Sequence, residues 1–140
     1  MENTQNQPNE LPEDVQQLVT KLFELARTEG AEAAATLGAY IDQGVDVNLR
    51  NQEGNTLLML AAYNGATEVL EALIARGADV NELNERGQSP LAGAIFKRED
   101  LVIEQLILAG ADPLAGHPTA VDCAKMFGRE DLLTRFGAGE

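Results

Sequence analysis

The sequence predicts an all-α fold, built as a stack of short helix-turn-helix units. Three observations carry this. Gly44, Gly77 and Gly110 are separated by 33 and 33 residues, and so are Asp46, Asp79 and Asp112. Between these markers the apolar residues follow a helical spacing, as in Val69, Leu70, Leu73 and Ile74, which line one face of a 3.6-residue helix. A unit of that length cannot bury its own apolar faces, so neighbouring units must lean on one another. The register extends well beyond the markers. Asn48 matches Asn81, Gly54 matches Gly87, Thr56 matches Ser89, and Leu58, Ala61, Val69, Leu73 and Ile74 match Leu91, Ala94, Val102, Leu106 and Ile107.

The elements follow in chain order. Residues 1–13 are polar, rich in Asn, Gln and Glu, and carry Pro8 and Pro12; they lack the apolar content to order themselves and read as a flexible tail. Helices are expected over about 14–28 and 31–43. Pro12 suits the first turn of the former, and Glu13 and Asp14 suit its positive end. Val15, Leu18, Val19, Leu22, Phe23 and Leu25 supply its stripe, and Gly30 ends it. "NQEGNT" is then a turn in which Gly54 supplies positive φ, and Thr56 is placed to cap the helix "LLMLAAYN". Gly65 breaks that helix. "TEVLEALIAR" is the second helix of the unit, Gly77 closes it, and "ADVN" extends toward the next turn. Ala61 and Ala62 are small enough to let helices of adjacent units approach.

The segments "GNTLLMLAAYNG…VLEALIARGADVN" and "GQSPLAGAIFKR…VIEQLILAGADP" resemble the ankyrin repeat, and the short chain is similar to small stand-alone bacterial proteins of that family. The resemblance covers about residues 15–137. It implies a solenoid of about four units, at 14–50, 51–83, 84–115 and 116–137, with protruding β-turn or loop fingers and with the outer two units acting as caps. "IDQGVDVNLR" keeps only the tail of the first unit. "HPTAVDCAKMFGREDLLTRFG" is the last, in which Thr119, Ala124 and Gly128 repeat the spacing of Thr56, Ala61 and Gly65, and the third finger is shortened by three residues. The family's Thr-Pro-Leu-His becomes "TLLM" at Thr56–Met59 and "SPLA" at Ser89–Ala92, so the histidine that links neighbouring turns is missing.

Composition excludes several functions. The formal net charge of -13 argues against binding a bare phosphate backbone and against docking on an anionic membrane. Cys123 is the sole cysteine, so the chain forms no internal disulfide and no cysteine cluster for zinc. The N-terminal residues have neither a basic nor an apolar leader segment, and no apolar run reaches membrane-spanning length. A reduced, cytoplasmic setting is expected. Catalysis is not: His117 is the single histidine, in the Pro-flanked turn "AGHPTA", and Cys123 takes a helix position shared with Leu60 and Gly93, without a cation beside it to lower its pKa. The glycines keep the repeat period rather than a phosphate-loop spacing. No catalytic residue, cofactor or metal is expected.

Function is therefore sought where the units differ. The resemblance implies that finger tips and the concave row of inner helices meet a partner protein. Carried over by position, these are Gln52, Glu53 and Asn55 in one finger, Glu85, Arg86 and Gln88 in the next, and the inner-helix ends Tyr63–Asn64, Phe96–Lys97 and Met126–Phe127. Tyr63, Phe96 and Met126 share one register position and are expected to form an exposed strip, each ring contributing roughly 1.5–3 kcal/mol when buried in a partner. The expected partner is another protein, with the unbound chain monomeric. The alternative is an acidic inhibitor or nucleic-acid mimic that engages a basic protein by charge.

Overall fold

The computed structural model describes residues 12–137. Among the described residues there are eight helices and no strand: α1 Glu13–Ala26, α2 Ala31–Asp42, α3 Leu57–Tyr63, α4 Thr67–Ala75, α5 Pro90–Phe96, α6 Asp100–Leu108, α7 Ala120–Met126 and α8 Glu130–Arg135. They form two rows. The inner row packs α1 on α3, α3 on α5 and α5 on α7; the outer row packs α2 on α4 and α4 on α6; each odd helix also packs on the even helix that follows it. This is the expected all-α solenoid of stacked helix pairs.

The core lies between the rows and between successive units. Leu57, Leu58, Ala61, Ala62, Val69, Leu70 and Leu73 of the second unit are sealed from solvent, as are Leu91, Ala94, Ile95, Val102 and Leu106 of the third. The alanines at the register position of Ala61 (Ala94 and Ala124) are all fully buried. In α1, Leu22, Phe23 and Ala26 are buried, whereas Val15 at the start of the same stripe is exposed. The end of α1 differs from expectation. It stops at Ala26, with Arg27 as its C-cap, and Gly30 instead starts α2 at φ 118°. Pro12 likewise precedes the first turn as the N-cap. Residues 1–11 of the expected tail lie outside the described residues, and its last residue, Glu13, is already the first of α1.

The inner helices α3, α5 and α7 each open with a hydroxyl cap. Met59 N–H donates to Thr56 Oγ1 at 3.1 Å, Ala92 N–H to Ser89 Oγ at 3.1 Å, and Asp122 N–H to Thr119 Oγ1 at 3.0 Å. In the last unit the Asp122 carboxylate accepts in return from Thr119 N–H, closing a capping box. The turn ahead of each of the first two caps is built on an asparagine. Asn51 Oδ1 accepts from the N–H groups of Glu53 and Asn55, and Asn84 Oδ1 from those of Arg86 and Gln88. Gly54 completes the first such turn at φ 78°, where an added Cβ would also stand 2.9 Å from Glu85 N of the next finger; both facts require glycine.

The turn-to-turn histidine is absent, and other groups link the units. Asn48 N–H donates to Asp46 Oδ1, Asp79 N–H to Asn48 Oδ1 at 2.8 Å, Asn81 N–H to Asp79 Oδ1, Asp112 N–H to Asn81 Oδ1 at 2.7 Å, and Leu114 N–H to Asp112 Oδ1. This unbroken ladder crosses three units and accounts for the recurring Asp-x-Asn. Leu114 takes the next asparagine position and ends it. The fingers are joined again by Asn84 Nδ2 donating to Asn55 Oδ1 at 2.9 Å, by Glu85 N–H donating to Glu53 O, and by Arg50, which donates to Gly54 O and Leu83 O and pairs with Glu82. Outside the fingers, Arg76 lies across Gly38 and grips Asp42 through two parallel bonds of 3.0 and 3.1 Å, so its guanidinium holds the Asp42 carboxyl below the usual carboxylate range.

Removing one rung tests the ladder. Asn48→Ala and Asn81→Ala each delete an inter-unit acceptor and should each lower unfolding free energy by about 1 kcal/mol, read from urea denaturation. Unchanged midpoints in both variants would remove the ladder from the account of stability.

Candidate protein-binding surface at the inner-helix ends

The inner helices end side by side, and their last residues meet very different surroundings. Tyr63 is half-buried rather than exposed. Its ring lies against Gly93 of the next unit, where an added Cβ would fall 1.8 Å from Tyr63 Cε1. Burial raises the Tyr63 phenol pKa, partly opposed by the charge of Arg86, with a smaller upward contribution from Cys123. The expected uniform strip is therefore interrupted at its first member, because the glycine at the facing position opens a slot that the ring fills.

Phe96 holds the same register position and is 62% exposed. By register its facing position in the next unit is Cys123 rather than a glycine, and Phe96 makes an edge contact with Phe127, at 5.7 Å between centroids and 68° between planes. Met126 is the last member and is 66% exposed; no described unit follows it. Phe127 is half-buried and packs on the core edge. Phe96 and Phe127 thus meet across the third and fourth units, Met126 adjoins Phe127 in sequence and is exposed, and Tyr63 is tucked against Gly93.

The polar candidates separate into engaged and free groups. Asn55 and Gln88 are half-buried acceptors for Asn84 Nδ2, and Asn64 Nδ2 closes the end of α3 by donating to Leu60 O at 2.8 Å. Gln52, Glu53, Glu85, Arg86 and Lys97 are exposed, although Glu53 Oε1 accepts from Asn55 Nδ2 at 3.3 Å. His117 is an exposed turn residue whose backbone N–H donates to Gly87 O. Cys123 is buried, and that burial, followed by the nearby Asp122, raises its thiol pKa, the opposite of what a nucleophile needs.

Two groups lie outside the candidates that the sequence nominates, although the period marks both. Asn84 repeats Asn51 at the 33-residue offset and organises the second finger. Arg98 stands where Gly65 precedes it and Gly128 follows it in register, and it adopts φ 60°. A left-handed backbone at a residue with a long side chain costs about 1 kcal/mol relative to glycine. Arg98 is exposed directly after Lys97 and Phe96.

Two stability measurements check this geometry. Arg98→Gly should stabilise the chain by about 1 kcal/mol, an unusual gain from deleting an entire side chain. Gly93→Ala should cost about 1–3 kcal/mol by evicting the Tyr63 ring. Adding Tyr63→Ala to Gly93→Ala should recover part of that loss, and strictly additive effects would show that the two residues do not meet.

Comparison with known proteins shows what part of this chain is similar to. The family model described as "Ankyrin repeats (many copies)" matches residues 40–94, the stretch that contains the second unit and its junctions on both sides. A Pseudomonas aeruginosa protein named for ankyrin repeats is 39% identical over 61 residues, covering 44% of this chain and 34% of that protein. The matched stretch spans about a third of the relative's length. Ankyrin repeats are in general protein–protein interaction modules, and among the described residues no helix is long and apolar enough to cross a membrane. Residues 40–94 thus match the ankyrin-repeat model; the asparagine-built fingers lie within that stretch, and helix pairs continue the same pattern on both sides of it.

Proposed function

We propose that this chain is a non-enzymatic binding module that captures another protein across the loop ends of its inner helices. Phe96, Met126 and Phe127 form the apolar centre. Lys97, Arg86 and Glu85 lie at its rim, and Gln52 and Glu53 extend the surface along the first finger. Tyr63, Asn64, Asn55 and Gln88 support it from below by filling the Gly93 slot, closing α3 and bracing the fingers.

The observation that carries this reading is the exposure of Phe96 and Met126, 62% and 66%, at a register position whose earlier member is packed away. A monomeric surface rarely leaves large apolar groups adjacent unless something covers them. The fingers and caps are already ordered by their own hydrogen bonds, so association immobilises little besides side chains.

The test places a photo-crosslinking residue at position 97 and exposes the full chain to extract from its native cell. A discrete adduct is expected. Phe96→Ala combined with Met126→Ala should abolish it while the unfolding free energy stays within about 0.5 kcal/mol, as for exposed substitutions. An adduct that survives in the double variant, or none with the parent chain, rejects this surface.

A further inference from the structure

The acidic chain has sorted its cations. Of ten lysines and arginines, Arg50, Arg76, Arg129 and Arg135 form ion pairs with carboxylates, and Lys21 lies over the Tyr40 ring at 5.7 Å. The remaining five, among the described residues, are Arg27, Arg86, Lys97, Arg98 and Lys125, all exposed and without a carboxylate partner. Four of them border the apolar surface. Lys97 and Arg98 follow Phe96 in sequence, Lys125 precedes Met126, and Arg86 is close enough for its charge to act on Tyr63.

The carboxylates of the same two units are largely engaged elsewhere. Asp100 and Asp131 accept from Arg129, Glu104 from Arg135, and Asp122 from Thr119 N–H. Glu99 lies over Gly65 of the preceding unit. Four unpaired cations thus stand beside Phe96, Met126 and Phe127 on a chain of net charge -13, with Glu85 and Glu130 as exposed carboxylates of the same units. Attraction between cations and the negative ends of the inner helices accounts in part for Lys97. It does not account for Arg98, because glycine holds that turn in the other units without the left-handed penalty.

From this charge complementarity, and resting on the interaction surface above, we infer that the partner is a protein segment bearing Asp or Glu beside a large apolar side chain. Its apolar group covers Phe96 and Met126, and its carboxylates meet Lys97, Arg98, Lys125 and Arg86. Arginine suits this task better than glycine or lysine at position 98 because its planar fork engages a carboxylate through two bonds. The strained backbone of Arg98 then reflects binding rather than folding.

A random-peptide library displayed on phage, panned against the full chain, reads out the preferred chemistry directly from the peptides recovered. These should be enriched in Asp and Glu together with Phe, Leu or Trp. Their affinity should fall about tenfold or more in Lys97→Glu/Lys125→Glu, and it should weaken as salt rises from about 50 mM to about 300 mM. Arg98→Gly should separate the two properties, raising the melting temperature while weakening peptide binding at least about threefold. Peptides that are lost with Phe96→Ala/Met126→Ala but are basic or neutral, or that bind the charge-reversed variant undiminished, would overturn the acidic partner and leave the surface itself standing. Peptides insensitive to Phe96→Ala/Met126→Ala would overturn the surface as well. A short single-stranded oligothymidylate that competes as well as the best acidic peptide would assign the cations to nucleic acid and overturn the inference.

Discussion

No helix pair in this chain can satisfy its own apolar surface, and everything else follows from that. α3 and α4 present Leu57, Leu58, Ala61, Ala62, Val69, Leu70 and Leu73, all sealed from solvent, yet two helices of seven and nine residues are too short to cover them unaided. Burial is completed by the units on either side. Close approach demands small residues where inner helices cross, which is why Ala61, Ala94 and Ala124 recur. It also fixes the register, because a unit displaced along its neighbour would leave an asparagine Oδ1 opposite no N–H donor. Local caps and turns give each unit its shape, and stacking makes that shape stable.

The same register produces variety as well as repetition. Tyr63, Phe96 and Met126 begin from one position, and their fates are decided by the neighbour ahead of each. Gly93 leaves a slot and Tyr63 enters it; Cys123 stands at the corresponding position and Phe96 lies outward against Phe127; no described unit follows Met126. A repeat protein can therefore move an aromatic ring from core to surface by changing a residue in the following unit, without altering the ring or its helix. The apolar surface grows toward the C-terminal end of the stack for this reason.

Much of this is legible in the sequence. The 33-residue offset reveals the helix pairs, and the hydroxyls at Thr56, Ser89 and Thr119 mark where inner helices begin, because short polar side chains at those places have one structural role. The paired Asp and Asn are visible as a pattern but not as a ladder, since a recurring residue does not state what it bonds. The surroundings of Tyr63 are not legible from its own position, because they depend on Gly93, one unit away. Arg98 is easily passed over because it departs from the glycine pattern at a single position. The finger residues look uniformly available in sequence, whereas Asn55 and Gln88 are tied to Asn84.

The charge of the chain shows why totals mislead at the scale of a binding surface. A net charge of -13 describes long-range repulsion and solubility, but at physiological ionic strength a fixed charge is felt over only about 8 Å. The sequence neighbours of Phe96 and Met126 are Lys97, Arg98 and Lys125, while the arginines elsewhere are neutralised by bonds that hold α2 to α4, α6 to α8 and finger to finger. The two sets of cations answer to different physics. Paired arginines tie neighbouring units to one another. Unpaired ones gain little where they stand, and Arg98 bears a backbone penalty for standing there. A solvated cation needs no particular backbone conformation to remain soluble, so the recurrence of glycine at Gly65 and Gly128 makes the arginine between them the residue whose presence stacking alone does not explain.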